Sequence, residues 1–367
     1  MDVILVLNAG SSSLKFQVFA ADDVAMPISK GRITGIGTQP VFSIVGAANQ
    51  NLPTDFDQAK SLQHIFNWLT EHPEWHLAAV GHRIVHGGAT FYAHQILTTD
   101  VMATLKQLIP LAPLHQPHHL YAIEYLQSLQ PDLLQVGCFD TIFHANQSRL
   151  HQAFALPRSY FDDGVRRYGF HGLSYAWIAR QLKKHHPDLY AGRVIAAHLG
   201  NGASLCAMKN GESIATTMGM TAIDGVPMGT RSGAIDPGAV LYLIREQRMS
   251  AESVEHLLSY DAGLLGLSGI SNDMRTLYNT ALNNADAQFA IDYFVERIAE
   301  YTAKLAVSLG GMDTLVFTGG IGENDTALRK AVQEKLTFMS DFKTLVIPAN
   351  EEALIVETTQ QFLIKQG

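Results

Sequence analysis

The chain opens on an apolar run at 3–7, and Leu14, Phe16 and Val18 then alternate with Lys15, Gln17 and Phe19. Alternation with a period of two predicts a half-buried strand, so the first 20 residues read as two strands around the turn Asn8-Ala-Gly-Ser-Ser-Ser13. Short strands are expected near 31–36 and 41–45. A helix over 56–70 follows, with Phe56, Ile65, Phe66 and Leu69 on its apolar face. Helices over 99–109 and 117–129 come next, and Pro117 suits a first helical turn. Residues 133–139 read as a buried strand ending at Asp140. The arrangement then recurs. Residues 193–199 form a strand, Gly200–Ser204 a small-residue turn, and strands at 204–209 and 212–217 flank Asn210-Gly211, a strong hairpin signal. A strand, a Gly/Ser/Asn turn and a second strand thus occur twice, which suggests duplication of one supersecondary unit. Helices are expected over 236–247, 250–258 and 284–309. A strand at 314–318 enters Gly319–Asn324, and one at 345–347 leads to a last helix over 350–365. No linker separates the halves, so the cleft between them is expected to be tightly built.

Composition narrows the class. At 367 residues, 47% apolar and 16% charged, the chain is long enough for about two domains and too apolar for wholesale disorder. With 26 basic and 34 acidic residues its net charge is −8, and it has no basic block, a poor fit to a nucleic-acid or anionic-membrane binder. Two cysteines, Cys138 and Cys206, make neither a disulfide framework nor a CxxC site, which fits a reducing cytoplasm. No apolar run approaches the roughly 20 residues of a membrane span, and the apolar stretch at the N-terminus is too short for a signal peptide. The expectation is a cytoplasmic, two-domain α/β protein without nucleic-acid or membrane partners.

Three turns of small residues follow predicted strands: Asn8–Ser13, Gly200–Ser204 and Gly319–Asn324. Glycine lets the backbone come close to a ligand, and exposed N–H groups cradle phosphate oxygens. There is no GxxxxGK[ST] loop and no GxGxxG opening a helix after the first strand. Gly81-His-Arg-Ile-Val-His-Gly-Gly88 is dense in polar groups just after an apolar strand. His82 and His86 are spaced for zinc on a helix, but the glycine pair and the β-branched residues argue against that helix. Arg83 suits bidentate binding of a carboxylate or phosphate, or a structural ion pair. Asp140 stands at the carboxyl end of a strand, where α/β proteins build sites, or caps a helix. His171 lies between glycines after two arginines. Arg231, in Met228-Gly-Thr-Arg-Ser-Gly233, is the second glycine-framed arginine, and the two suggest a clamp on an anionic centre.

With LNAGSSSLKF, GHRIVHGG, FDTIFH, RYGFHGLS, HLGNGASL, MGTRSG, TGGIGEN and IPANEE in this order over nearly the whole chain, the sequence resembles the acetate kinase family. The resemblance implies two duplicated α/β domains, each around a mixed sheet, of the ribonuclease H-like superfamily of acetate and sugar kinases, chaperones and actin. It places the first domain at 1–142 plus 353–367, with a returning C-terminal helix, and the nucleotide-binding domain at 143–352. It implies ATP as co-substrate, Mg²⁺ or Mn²⁺ as metal, and a homodimer. By position, Asn8 and Glu351 match the metal residues and Lys15 a nucleotide-binding lysine. Arg83 and Arg231 match the active-site arginines, Asp140 the catalytic aspartate, His171 the transition-state histidine and His115 a further active-site histidine. His198, Leu199, Gly200, Asn201 and Gly202 match one nucleotide segment. Asp273, Met274 and Arg275 match a second, and Gly320, Ile321, Gly322, Glu323 and Asn324 a third. Val85, Leu114 and Phe170, with Ala222 at their edge, match a small apolar substrate pocket.

The chain is shorter than the roughly 400 residues that the resemblance implies, and only 25 residues lie between Asn324 and Asn350. A surface hairpin or helix of the second domain is expected to be missing there. Ala222 stands where the family often has Pro, and Ala234 where it often has Asp. The implied reaction is reversible transfer of the ATP γ-phosphoryl group to acetate, with propionate or another short-chain carboxylate as the alternative acceptor. Rival classes are an actin-like nucleotide-binding scaffold without turnover and a histidine-based metallohydrolase.

Overall fold

The computed structural model describes residues 1–10 and 12–366. Ser11, in the predicted Asn8–Ser13 turn, and Gly367, at the end of the predicted first domain, lie outside the described residues. The chain divides into two compact units, Met1–Ile142 with Asn350–Gly367, and Phe143–Ala349.

The first unit is built on strands β1 (Asp2–Ala9), β2 (Ser13–Ala20), β3 (Ser29–Thr34), β4 (Val41–Ile44), β5 (Gln50–Asn51), β6 (His76–Ile84), β7 (Gln95–Ile96) and β8 (Leu134–Phe139). They form one sheet in the order β5-β4-β3-β2-β1-β6-β8-β7. From β1 to β5 neighbours run antiparallel, while β1–β6 and β6–β8 are parallel. Helices α1 (Gln58–Thr70), α2 (Thr99–Gln107) and α3 (Gln116–Leu129) belong to this unit, as does the C-terminal helix Glu351–Gln366. The apolar run at the start becomes the central strand β1, buried on both faces, which is why it reads as continuous rather than alternating. Val3, Leu5, Leu7 and Val80 pack with Leu62 and Ile65 of α1 and Ala122 and Leu126 of α3. Each such side chain contributes roughly 1.5–3 kcal/mol of burial.

The opposite face of β6 receives the C-terminal helix. A Cβ on Gly81 would lie 2.4 Å from Thr359 Oγ1 and 2.6 Å from Ile355 Cγ2, so only glycine lets the helix cross here. This corrects one expectation: Gly81–Ile84 is the end of strand β6 itself, not a segment after it. That glycine is a strand residue under a closely packed helix.

The second unit begins with α4 (Arg149–Gln152), α5 (Arg158–Asp162), α6 (Gly172–His185) and α7 (Pro187–Tyr190). Strands β9 (Arg193–Leu199), β10 (Ala203–Lys209) and β11 (Glu212–Thr216) follow. Then come helices α8 (Pro237–Arg245), α9 (Ala251–Tyr260), α10 (Gly263–Ser268), α11 (Met274–Ala281) and α12 (Ala285–Leu309). Strand β12 (Thr314–Thr318), helices α13 (Gly319–Asn324) and α14 (Thr326–Lys335) and strand β13 (Lys343–Val346) complete it. The sheet order is β11-β10-β9-β12-β13, with two antiparallel steps and then two parallel ones. The run β3-β2-β1-β6-β8 of the first unit has the same order and the same senses, so the suspected repeat is a repeat of topology. Asn210 and Gly211 turn the β10–β11 hairpin with φ of 52° and 72°, as a type I′ turn requires.

Of the three predicted turns, two join antiparallel strands. Gly10 N–H donates to Ser13 O, and Gly200 N–H to Gly202 O. Gly319–Asn324 differs, because it is the helix α13. Gly319, at φ 78° and packed on the Leu199 carbonyl, swings the chain out of β12 straight into that helix.

Candidate active site

In the first unit the chemistry gathers where β6 and β8 end. Arg83 and Cys138 are register partners, and Asp140 follows β8 directly, its N–H donating to Ile84 O. Arg83 donates from Nη2 to Asp140 Oδ2 at 2.7 Å and from Nε to both carboxylate oxygens at 3.2 Å. Its Nη1 lies 3.6 Å from Glu351 Oε2. The helix crossing explains this meeting. Ile355 sits over Gly81, and Glu351 lies one turn back, about 6 Å along the helix. Arg83 is two strand residues on, about 6.6 Å along β6 and on the same face.

Asp140 is 1% exposed. Burial raises its carboxyl above the ordinary value, the Arg83 guanidinium pulls it back, and Glu351 adds to the rise. Burial works against the charge on Arg83, but Asp140 and Glu351 outweigh it and hold the guanidinium protonated. Burial beside Glu351 also raises the Glu352 carboxyl. Asp140 therefore acts on Arg83, and Arg83 stands in the middle of an ion-pair set.

The first turn of α3 fixes the backbone beyond β6. Val85 N–H donates to His119 Nδ1 at 3.2 Å, and Gln116 Nε2 donates to His86 O at 3.1 Å. Val85 is thereby held beside Arg83, and buried. His115 is the residue before α3, and Leu114 is half-buried next to it. His82 is turned to Gln135, and His86 Nδ1 accepts from Gly88 N–H, so the two histidines of the zinc spacing have separate partners. Asn8 is half-buried near the end of β1, across from exposed Lys15 on β2.

In the second unit the residues gather at the carboxyl ends of β9 and β12. His171 precedes α6 in the left-handed region, at φ 58°, rare for a residue other than glycine and a mark of a site that over-determines it. Its ring stacks on His198 with centroids 4.3 Å apart. His171 Nδ1 is 2.8 Å from Ser204 Oγ, which is 2.6 Å from the Tyr175 hydroxyl. Ser174 Oγ meets His198 Nδ1 at 2.9 Å. A Cβ on Gly202 would lie 3.3 Å from His171 Nε2 and 3.6 Å from Arg231 Nη1, so that glycine keeps open the space the two share. Arg231 Nη1 donates to Ala222 O at 3.1 Å. Phe170 is buried, its carbonyl accepting from His144 Nε2.

The three segments that the resemblance assigns to a nucleotide meet in the same region. Gly229 N–H donates to Asn201 O, and Asn272 Nδ2 to Asn201 Oδ1. Asp273 caps α11 through Arg275 N–H, with Met274 buried and Arg275 exposed. Glu323 Oε1 accepts from Gly319 N–H and Ala349 N–H, and Asn324 Nδ2 donates to Gly320 O. Gly322 is buried against Leu199, while Gly320 is exposed and Ile321 half-buried.

The Acetokinase family pattern matches residues 3–344. The chain belongs to the acetokinase family. It is 48% identical over 352 residues to an acetate kinase of Rhodopseudomonas palustris strain TIE-1, covering 92% of this chain and 87% of that one. It is 42% identical to an acetate kinase of Nitrobacter hamburgensis, covering 100% of this chain and 98% of that one. That alignment runs over 399 positions against 367 residues here, so the relative carries residues that this acetokinase lacks. Among solved structures, a propionate kinase from Francisella tularensis matches with a TM-score of 0.91 at 35% identity, over 98% of this chain and 100% of that one. Porphyromonas gingivalis acetate kinase matches with a TM-score of 0.88 at 32% identity, over 99% and 100%.

The sequence reading did not single out Ser204 or Tyr175, although Ser204 lies inside a recognised motif. His119, on a helix that the sequence does predict, and Gln116, just before its predicted start at 117, carry no motif of their own. An i, i+3 count along α3 puts Gln116 and His119 on one face, and that signal was available.

Proposed function

We propose that this acetokinase transfers the γ-phosphoryl group of ATP reversibly to acetate, giving acetyl phosphate and ADP, with propionate as a second acceptor. The observation that carries the reading is the Arg83–Asp140–Glu351 set beside Val85. A half-buried guanidinium, oriented by the buried Asp140 carboxylate, stands two residues before a branched, buried apolar residue.

Carboxylic acids of this kind have a pKa of about 4, so the acceptor is ionised at pH 7 and needs no general base. That frees Asp140 from proton abstraction, consistent with its bonds to Arg83. The physical difficulty is bringing two anions together. Arg83 binds the acceptor carboxylate, and Arg231 and His171 offer charge and a hydrogen bond to the transferring group. In this reading His115, Val85 and Leu114 of the first unit and Phe170 and Ala222 of the second each serve in choosing the acceptor. Lys15 and the segments His198–Gly202, Asp273–Arg275 and Gly320–Asn324 hold the nucleotide. Transfer is direct and in line.

Asn8 and Glu351 provide an amide oxygen and a carboxylate, the hard oxygen donors that Mg²⁺ or Mn²⁺ accepts. Among the described residues no group of three His, Cys, Asp or Glu is assembled for a metal. That donor set fits an ion held by one or two protein oxygens together with phosphates and water. Bound there, the ion would neutralise phosphate charge.

Substrate choice rests on one methylene, worth about 1–3 kcal/mol or ~10–200-fold in an apolar pocket. Val85 crowds propionate and Ala222 relieves it. The proposal includes a cytoplasmic homodimer. No helix among the described residues is long and apolar enough to cross a membrane. Helix α8 supports self-association, because it buries none of its residues and exposes Leu241, Tyr242 and Ile244. Sedimentation of a Leu241→Glu variant as a monomer would locate the contact there.

The test is ADP release from Mg-ATP with acetate, propionate or butyrate, run beside Arg83→Ala. The expected result is fastest release with acetate and a loss on the order of 10³-fold in the variant, as for other arginines that stabilise phosphoryl transfer. Release that is independent of any carboxylate would overturn the proposal.

A further inference from the structure

His171 is part of a buried chain of hydroxyls that no step of the reaction so far has used. Tyr175 and Ser204 are both fully buried, and His171 is 8% exposed. The Tyr175 hydroxyl lies 2.6 Å from Ser204 Oγ, and Ser204 Oγ lies 2.8 Å from His171 Nδ1. The direction of these bonds follows from what each group can give. A buried hydroxyl hydrogen left without an acceptor is costly. Among the described residues the acceptor within reach of the Tyr175 hydrogen is Ser204 Oγ, since the His198 backbone meets the phenol as a donor. Tyr175 therefore donates to Ser204. With its oxygen engaged by Tyr175, Ser204 turns its own hydrogen to His171 Nδ1. Nδ1 then accepts, and the proton of the neutral imidazole sits on Nε2. That nitrogen is the one facing the Gly202 backbone on the side of Arg231 Nη1.

We propose that Tyr175 and Ser204 are positioning residues that fix His171 as its Nε2–H tautomer, so that the ring presents a preset hydrogen-bond donor on the Arg231 side. The proposal deepens, and rests on, the reading of His171 as a group that touches the transferring phosphoryl. A free imidazole samples both tautomers, and only one of them has a donor at this nitrogen. The relay removes the choice before substrate arrives, the form of preorganisation that electrostatic catalysis needs. The stack on His198, itself held by Ser174, keeps the ring plane from turning.

The tautomer can be read directly in the full-length wild-type protein. With ¹⁵N-labelled histidine, long-range ¹H–¹⁵N correlations distinguish a bare from a protonated ring nitrogen, and His171→Asn identifies the signal. The expected pattern is a bare Nδ1 and a protonated Nε2. Tyr175→Phe keeps the ring volume but removes the first hydroxyl, and Ser204→Ala removes the second. Each variant should show mixed tautomers and lose roughly 10–100-fold in kcat, the range found for partners that orient a histidine, with KM for acetate and ATP within about twofold. A protonated Nδ1 in the wild type overturns the proposal, and so does unchanged kcat in both folded variants. If His171→Asn itself keeps kcat, the reading of His171 fails, while the wild-type spectrum still decides the tautomer.

Discussion

Arg83 forms one ion-pair set with Asp140 and Glu351, two residues before Val85. Asp140 is the residue on which the arrangement depends. Asp140 is buried while Arg83 keeps 22% of its side chain exposed, and removing one partner of a fully buried pair costs about 3–5 kcal/mol. Glu351 stays near Arg83, so Asp140→Ala is expected at the lower end of that range. Urea unfolding measures it, and a loss under ~1 kcal/mol, the size of an exposed pair, would show that the pair is not the buried anchor described here. Glycine-framed charged residues were legible because they break the local pattern. Ser204 and Tyr175 were not, since a serine in a strand and a tyrosine in a helix look like ordinary core residues until the fold brings them to one histidine.

At the scale of elements, strands with strong apolar runs and helices with clear faces were legible, including β1, β9, β12, α3 and α12. Helices α6, α11 and α14 were passed over. α6 begins after His171 in the left-handed region and has no side-chain cap bond, so it lacks the usual start signal. Gly81 serves a close helix crossing, and glycine misled at Gly319, where it serves a strand-to-helix swing. The first of these is testable. Gly81→Ala drives a methyl into Thr359 and Ile355 and should cost about 1–3 kcal/mol, as overpacking does. It should also displace Glu351, one turn away, and raise KM for Mg-ATP. Wild-type thermal stability and KM in that variant would contradict the account of how Glu351 is positioned.

For the whole molecule, the repeated sheet topology was legible as a pattern of strand, small-residue turn and strand, and the sheet order had to come from the structure. Stability against pH is a property of the whole chain. Burial pushes His82, His94 and His144 down to about 4. An unfolded histidine titrates near 6.5, so between these values the unfolded chain binds more protons and stability rises with pH. The contribution is complete above about 6.5 and falls away toward pH 4, on the order of 3 kcal/mol for each histidine over the full window. The raised Asp140 and Glu352 carboxyls work the other way from their ordinary values upward, so the slope is gentler than the histidines alone would give. The melting temperature should climb from pH 4.5 to 6.5 and then level off, and His144→Asn should flatten the climb. A flat profile in the wild type would contradict this. In the proposed reaction a carboxylate oxygen receives the phosphoryl group. Phosphorus NMR of the protein with Mg-ATP and acetate tests it most directly. An acyl phosphate resonance growing in step with ADP is expected. ADP accompanied only by inorganic phosphate would contradict it.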